Sequence, residues 1–194
     1  LLGGSVFQFS LTIGIFLASM GVGAYLSRFI KDRLLERFIG VELQLGHVLG
    51  DALDAPVLVL KACIGNRSLG WDLLPPGSER FEYEGKLYAG YGESPLSWEV
   101  GSEPVPIEWY AGKQYDTDVA NAKEVLAHLE EHYPGYSGQG YEVAGFVWWQ
   151  GHKDGGSEAH ITHYEQNMVN LIKAWRKEFN APNAKWVIAT VAFG

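Results

Sequence analysis

The sequence predicts an α/β protein built on a parallel, doubly wound sheet and preceded by an apolar helix. Three observations carry that expectation. From about Val41 onward, short β-type runs alternate with amphipathic helical patterns, the order that yields parallel strands joined by crossover helices. The β-type runs are continuously apolar, as in strands covered on both faces. Leu1 to Ser27 contain no charged side chain, and about 20 apolar residues suffice to cross a bilayer core.

The first element expected is therefore a transmembrane helix within "LLGGSVFQFSLTIGIFLASMGVGAYLS", where Gly14, Gly21 and Gly23 suit close helix packing. Its basic flank, with Arg28, Lys31, Arg33 and Arg37 against Asp32 and Glu36, favours the cytoplasmic side. A secretory signal needs basic residues ahead of the apolar core, and this stretch has none. A buried helix of a larger soluble core is the alternative. Membrane association is expected through residues 1–27.

Next, "LQLGHVLGDAL" places Leu45, Val48, Leu49 and Ala52 on one helical side and is stopped by Pro56. "VLVLKACI" (57–64) is the first expected strand. Residues 65–115 are rich in Gly, Pro, Tyr and Ser without sustained periodicity, the mark of a functional loop or a small subdomain. "DTDVANAKEVLAHLEEHY" reads as a helix with Val119, Ala122, Val125, Leu126 and Leu129 inward, closed by Pro134 and Gly135. "AGFVWWQ" is the second strand. "EAHITHYEQNMVNLIKAWRKEF" is a helix with Ile161, Tyr164, Met168, Leu171, Ile172 and Trp175 inward. "AKWVIATVAF" is the third strand. The chain opens on Leu and stops within that strand, so it is expected to be a fragment.

Composition excludes several classes of function. The net charge of −8 argues against nucleic-acid partners, whose phosphates demand excess Lys and Arg. The lone Cys63 excludes an internal disulfide, and its apolar surroundings predict a buried thiol. His160 and His163 have a spacing that can ligate metal, but no third ligand is in place, and a solvated helix start is expected. Ser68 reads as a turn or capping residue.

The polar turns after the strands are the candidate site. "VLVLKACI" runs into "GNRSLGWD" and "GFVWWQ" into "GHKDGG", so each apolar strand delivers a glycine and hydrogen-bonding side chains to one edge of the sheet. Gly65 and Gly151 let backbone N–H groups approach a ligand, and Asn66 and Gln150 are neutral amide donors of the kind an oxyanion hole uses.

From about Val41 to Gly194 the chain resembles the sialate O-acetylesterase-like domain of the SGNH hydrolase superfamily. The resemblance rests on "GVELQLGHVLGDAL", "VLVLKACIGNRSLGWDLLPPGS", "GFVWWQGHKD" and "YEQNMVNLIKAWRKEFNAPNAKWVIATVAFG". It implies a flavodoxin-like three-layer fold, incomplete here, that removes acetyl groups from sugars without metal or other cofactor. It also implies a serine nucleophile, activated by a histidine that an acidic residue orients. Carried over by position, Gly65 and Gln150 become oxyanion donors, and Asn66, Gly151, His152 and Asp154 become substrate-binding residues. Lys153 stands where much of the superfamily has Asn. The family's "GQSN" and Asp-x-x-His blocks occur nowhere in the sequence, so no catalytic residue is assigned and little acyl transfer is expected.

Residues 1 to about 40, through "LLGGSVFQFSLTIGIFLASMGVGAYLSRFI" and "RFIGVE", resemble the transmembrane region of membrane-bound spermidine-synthase-like proteins. No Gly-rich nucleotide loop follows. The expected layout is thus a foreign segment, 1–40, and a partial esterase domain, 41–194. The alternatives are a non-catalytic, membrane-anchored carbohydrate-binding module, using aromatics such as Trp71, Tyr88 and Trp98, or a piece of a spermidine-synthase-like membrane protein. The chain is expected at a membrane if its first segment is native to it, and otherwise exported or periplasmic in a bacterium.

Overall fold

The structure, a computed structural model, describes residues 34–53 and 55–189. The chain divides into two compact units, with the boundary between Leu60 and Lys61. The first contains α1 (Leu34–Leu53), which passes residue 40 without a break. Leu45 and Leu49, one turn apart, are half-buried while Gln44, His47 and Asp51 are exposed, the one-sided pattern that the helical repeat produces.

Among the described residues no helix is long and apolar enough to cross a membrane, which corrects the expected transmembrane helix. α1 has the length but carries Glu36, Arg37, Glu42 and Asp51, which a bilayer core disfavours. The apolar stretch 1–27, on which the expectation rested, lies outside the described residues.

The run 57–64, expected as the first strand, joins no ladder among the described residues. β-type side chains hold a strand only where neighbouring strands pair with it. Here Leu58, Val59, Leu60 and Ile64 are exposed instead. Cys63, expected to be buried, is exposed with them.

The second unit combines two small sheets with helices. β1 (Phe81–Tyr83), β2 (Lys86–Tyr88) and β3 (Ser97–Glu99) form an antiparallel sheet inside the segment expected to be loop or subdomain. β1 and β2 are joined by Glu84 and Gly85 at φ 48° and 76°. Positive φ at both positions is what a two-residue hairpin turn matched to strand twist requires. The register aligns Phe81 with Tyr88 and Tyr88 with Ser97. Leu74, Ala89, Trp98 and Ala111 form this sheet's own core.

α2 (Lys113–Ala127) and the single turn α3 (Leu129–His132) replace the continuous helix expected over 116–133. β4 (Gly145–Trp148) and β5 (Lys185–Ile188) pair in parallel, the one parallel pair among the described residues. Gly145 permits the pairing, because a Cβ there would sit 2.9 Å from the Lys185 carbonyl oxygen. α4 (Glu158–Glu178) connects β4 to β5. Arg176 and Lys177 in its last turn face the negative end of the helix dipole. Phe146 packs on Trp175, Phe179 and Trp186 at ring separations of 5.1–5.9 Å. The main core joins Leu69 and Leu73 to Tyr115, Val119, Trp148, Met168 and Leu171. The turn after residue 65 is thus part of the core that carries β4 and α4.

Candidate functional site

Two polar segments meet beyond the C-terminal end of β4. One is the turn from Gly65 to Asp72. Within it the Ser68 N–H and Oγ–H donate to Asp72 Oδ2 at 2.9 and 3.2 Å, and Arg67 Nη1 lies 3.0 Å from Asp72 Oδ1. Ser68 is buried by this local bonding, in keeping with a turn role.

The other segment runs from Gln150 through a 3-10 turn at Asp154–Gly156 to Ser157, the N-cap of α4. Asp154, only 1% exposed, fastens the two segments together. Its Oδ2 accepts from the Leu69 N–H at 2.8 Å and its Oδ1 from the Gly70 N–H at 2.7 Å. Gln150 Nε2 donates to Asp154 Oδ2 at 2.6 Å and to the Arg67 carbonyl at 2.8 Å. A buried carboxylate is tolerated when donors replace its lost hydration, and three do so here. Tyr164 fixes the Gln150 amide: its hydroxyl accepts from Trp148 Nε1 at 3.1 Å and lies 2.9 Å from the Gln150 carbonyl and 3.1 Å from Oε1. Burial raises the Tyr164 phenol above its ordinary range, so it remains a donor.

His160 lies behind the same turn, 6% exposed. Its ring rests on Gly70, where a Cβ would come within 2.6 Å of the imidazole, so the close approach requires glycine. Nδ1 stands 3.8 Å from Asp154 Oδ1. Burial pushes His160 below the usual histidine range; Asp154 and Asp72 pull the other way, and Lys153 and His163 add to the depression. The ring is therefore neutral at neutral pH, and its approach to Asp154 is not an ion pair there. Nε2 is buried without a hydrogen-bond partner.

In front of this clamp opens a cavity of about 430 Å³, within the range of about 300–1,000 Å³ common for small-molecule sites. Asn66, His152, Lys153, Ser157 and His160 supply a polar wall. Tyr88 and Ser97 of the antiparallel sheet, with Leu96 just before β3, supply the other. Among the described residues no carboxylate lines it. A second cavity of about 330 Å³ lies at the opposite ends of β4 and β5, where Glu142 is the one carboxylate among the described lining residues. The first is the better candidate because it collects the polar loop residues.

The structure brings Asn66 and His152 together in this cavity. Asn66 sits at φ 61°, a left-handed conformation that asparagine tolerates. Gly65 is exposed, with nothing within 4 Å of a would-be Cβ, and does not line the cavity. The Gly151 carbonyl accepts from Gly155 N–H at 3.0 Å. Gln150 and Asp154 stand behind the wall, with both Nε2 hydrogens of Gln150 engaged internally. His160 is buried rather than solvated, and His163 stacks on Phe81 at 3.5 Å. Sequence reasoning overlooked Ser97 and expected His160 at a solvated helix start, not on a cavity wall. The helical spacing of His160 with Tyr164, Asn167 and Leu171 is a signal that could have placed it inward. Of the aromatics considered for sugar stacking, Tyr88 alone lines the cavity; Trp98 is buried beneath Arg80.

Comparison with known proteins decides the family. The family model described as "Carbohydrate esterase, sialic acid-specific acetylesterase" matches residues 92–194, just over half of the chain. The chain belongs to that carbohydrate esterase family. The curated relatives are proteins of another kind. A polyamine aminopropyltransferase of Leptospira interrogans is 50% identical over 50 residues, 26% of this chain and 10% of its own length. Polyamine aminopropyltransferase 2 of Ralstonia nicotianae is 49% identical over 63 residues, 32% of this chain and 12% of its own length. The chain thus spans about a tenth of these relatives. No solved structure matches it. The mixed α/β architecture, with its β4–α4–β5 unit, is consistent with an esterase domain of this family.

Proposed function

We propose that this chain provides the substrate-holding part of a carbohydrate O-acetylesterase and that the cavity between the polar loops and the antiparallel sheet receives an O-acetylated sugar. The finer fold assignment, a flavodoxin-like three-layer domain over 41–194, belongs to the same reading. The observation that carries it is the cavity itself. It adjoins the end of a parallel strand, where α/β folds place ligands, and much of its lining lies within the family-matched span.

In this reading Asn66 and His152 hydrogen-bond sugar hydroxyls, whereas Gly65, which does not line the cavity, is not given the oxyanion role. Gln150 acts through its bond to the Arg67 carbonyl, which holds the turn carrying Gly65 and Asn66. Asp154 and Gly151 shape the wall from behind. No nucleophile is assigned.

Calorimetric titration of the chain with a mono-O-acetylated hexose, paired with an acetate-release assay, tests this. Binding without acetate release is expected. Absence of binding would defeat the sugar-site reading. Release by this chain alone would place a nucleophile within it and overturn its description as a holding part. A second reading follows from the 49–50% identity to aminopropyltransferases over short stretches, namely that part of this chain is a piece of such a protein. It predicts no polyamine formation from the chain.

A further inference from the structure

We propose that the free face of the Tyr88 ring is a stacking platform for the pyranose ring of the ligand and that Ser97 leaves the room for it. This rests on the sugar reading above and adds a binding residue to it. Three residues stand in a row across one face of the antiparallel sheet: Phe81 opposite Tyr88, and Tyr88 opposite Ser97. Phe81 stacks on Tyr88 with ring centroids 5.2 Å apart and planes within 10°. His163 of α4 stacks on Phe81 at 3.5 Å, so the ladder is anchored to a helix. The third position of the row would continue the ladder if it held a ring. It holds Ser97, whose side chain is too short to cover Tyr88, and the space left over it belongs to the cavity that Tyr88 and Ser97 both line. His160 meets Tyr88 at 76° and closes one side of the slot. The polar wall to which His160 belongs also carries Asn66 and Ser157. An aromatic face on one side and hydrogen-bonding groups on the other is the complement of a pyranose, which has apolar C–H faces and a polar rim.

The test uses calorimetric titration with methyl 6-O-acetylglucopyranoside and, as a ringless ester, glycol monoacetate. Tyr88→Ala should weaken sugar binding by about tenfold or more, while Tyr88→Phe keeps it within about twofold. Ser97→Phe, which fills the slot with the missing rung, should weaken it as much as Tyr88→Ala. Neither change should affect the ringless ester. Dispersed amide resonances for 81–99 establish that each variant retains the sheet. If the sugar binds both Tyr88→Ala and Ser97→Phe as it binds the unaltered chain, the stack is wrong and the sugar site stands. Loss in Tyr88→Phe equal to that in Tyr88→Ala would assign the effect to the hydroxyl and overturn the stacking role. No binding by the unaltered chain would overturn both.

Discussion

Removing the Asp154 carboxylate should unfasten the two site loops, at a cost that the hydrogen-bond geometry allows to be worked out. In the intact chain the carboxylate takes the N–H groups of Leu69 and Gly70 and one hydrogen of Gln150. Asp154→Ala strands the two backbone donors in a buried place, while Gln150 keeps the Arg67 carbonyl. A buried donor left unpaired costs about 1–3 kcal/mol, and a hydrogen bond to a charged acceptor is worth about 1.5–3 kcal/mol. Two such losses, less what entering water restores, give roughly 3–5 kcal/mol. Asp154→Asn retains one acceptor oxygen for one N–H and turns an NH2 toward the other, so roughly half that loss is expected. Domains of this kind are stable by only about 5–15 kcal/mol, so the effect is decisive. Urea denaturation at pH 7, followed by tryptophan fluorescence, measures the total, and hydrogen exchange at the Leu69 and Gly70 amides locates it. A loss below about 1 kcal/mol for Asp154→Ala, or unchanged exchange at those two amides, would refute the clamp.

Two further outcomes follow from the same neighbourhood. His160 is neutral in the folded chain because burial lowers its pKa, whereas in the unfolded chain it titrates near the ordinary histidine value of about 6.5. The unfolded state therefore binds the extra proton first as pH falls. Stability is unaffected above that value, declines as pH drops through it, and levels off below the folded pKa. Denaturation midpoints measured from pH 8 to pH 5 should show this slope, and His160→Phe should flatten it. Gly70→Ala forces a methyl group to within 2.6 Å of the buried imidazole; overpacking of this kind costs about 1–3 kcal/mol. A midpoint equal to that of the unaltered chain would show that the turn does not rest on His160.

The sequence was most legible where one element carries its own period. The spacing of Tyr164, Met168 and Leu171 marked α4, and it runs over Glu158–Glu178 against an expected end at Phe179. The phase of its first turn was misjudged. Ile161 is 45% exposed while Ala159 and His160 are buried, because this end of the helix packs on the Gly70 turn and on Phe81 and Tyr88 of the antiparallel sheet. β4 and β5 were readable from "GFVWW" and "KWVI". The run 57–64 looked equally strand-like, yet a strand exists only through its neighbours, and no ladder among the described residues includes it. β1, β2 and β3 escaped notice because three residues are too few to show a period. They are fixed by a tight turn and by distant contacts such as Leu74 with Trp98. At the site, sequence order showed that Gln150 to Asp154 would be presented at a strand end. It could not show which groups bond inward, since the partners of Asp154 lie 84 and 85 positions away.

The two walls of the cavity rest on separate foundations. The polar wall is rooted in the large core through Leu69, Trp148 and Leu171, whereas the aromatic wall stands on the small cluster of Leu74, Ala89, Trp98 and Ala111. Among the described residues Tyr91 packs against both. Divergence at Leu96 or Ser97 can therefore proceed with little penalty to the framework that holds Asn66 and His152, whereas Tyr88 is tied to it through His160 and Phe81. The hairpin sheet is an interchangeable jaw on a fixed vice, and a lineage could change what it grips by refashioning about twenty residues and leaving the rest alone.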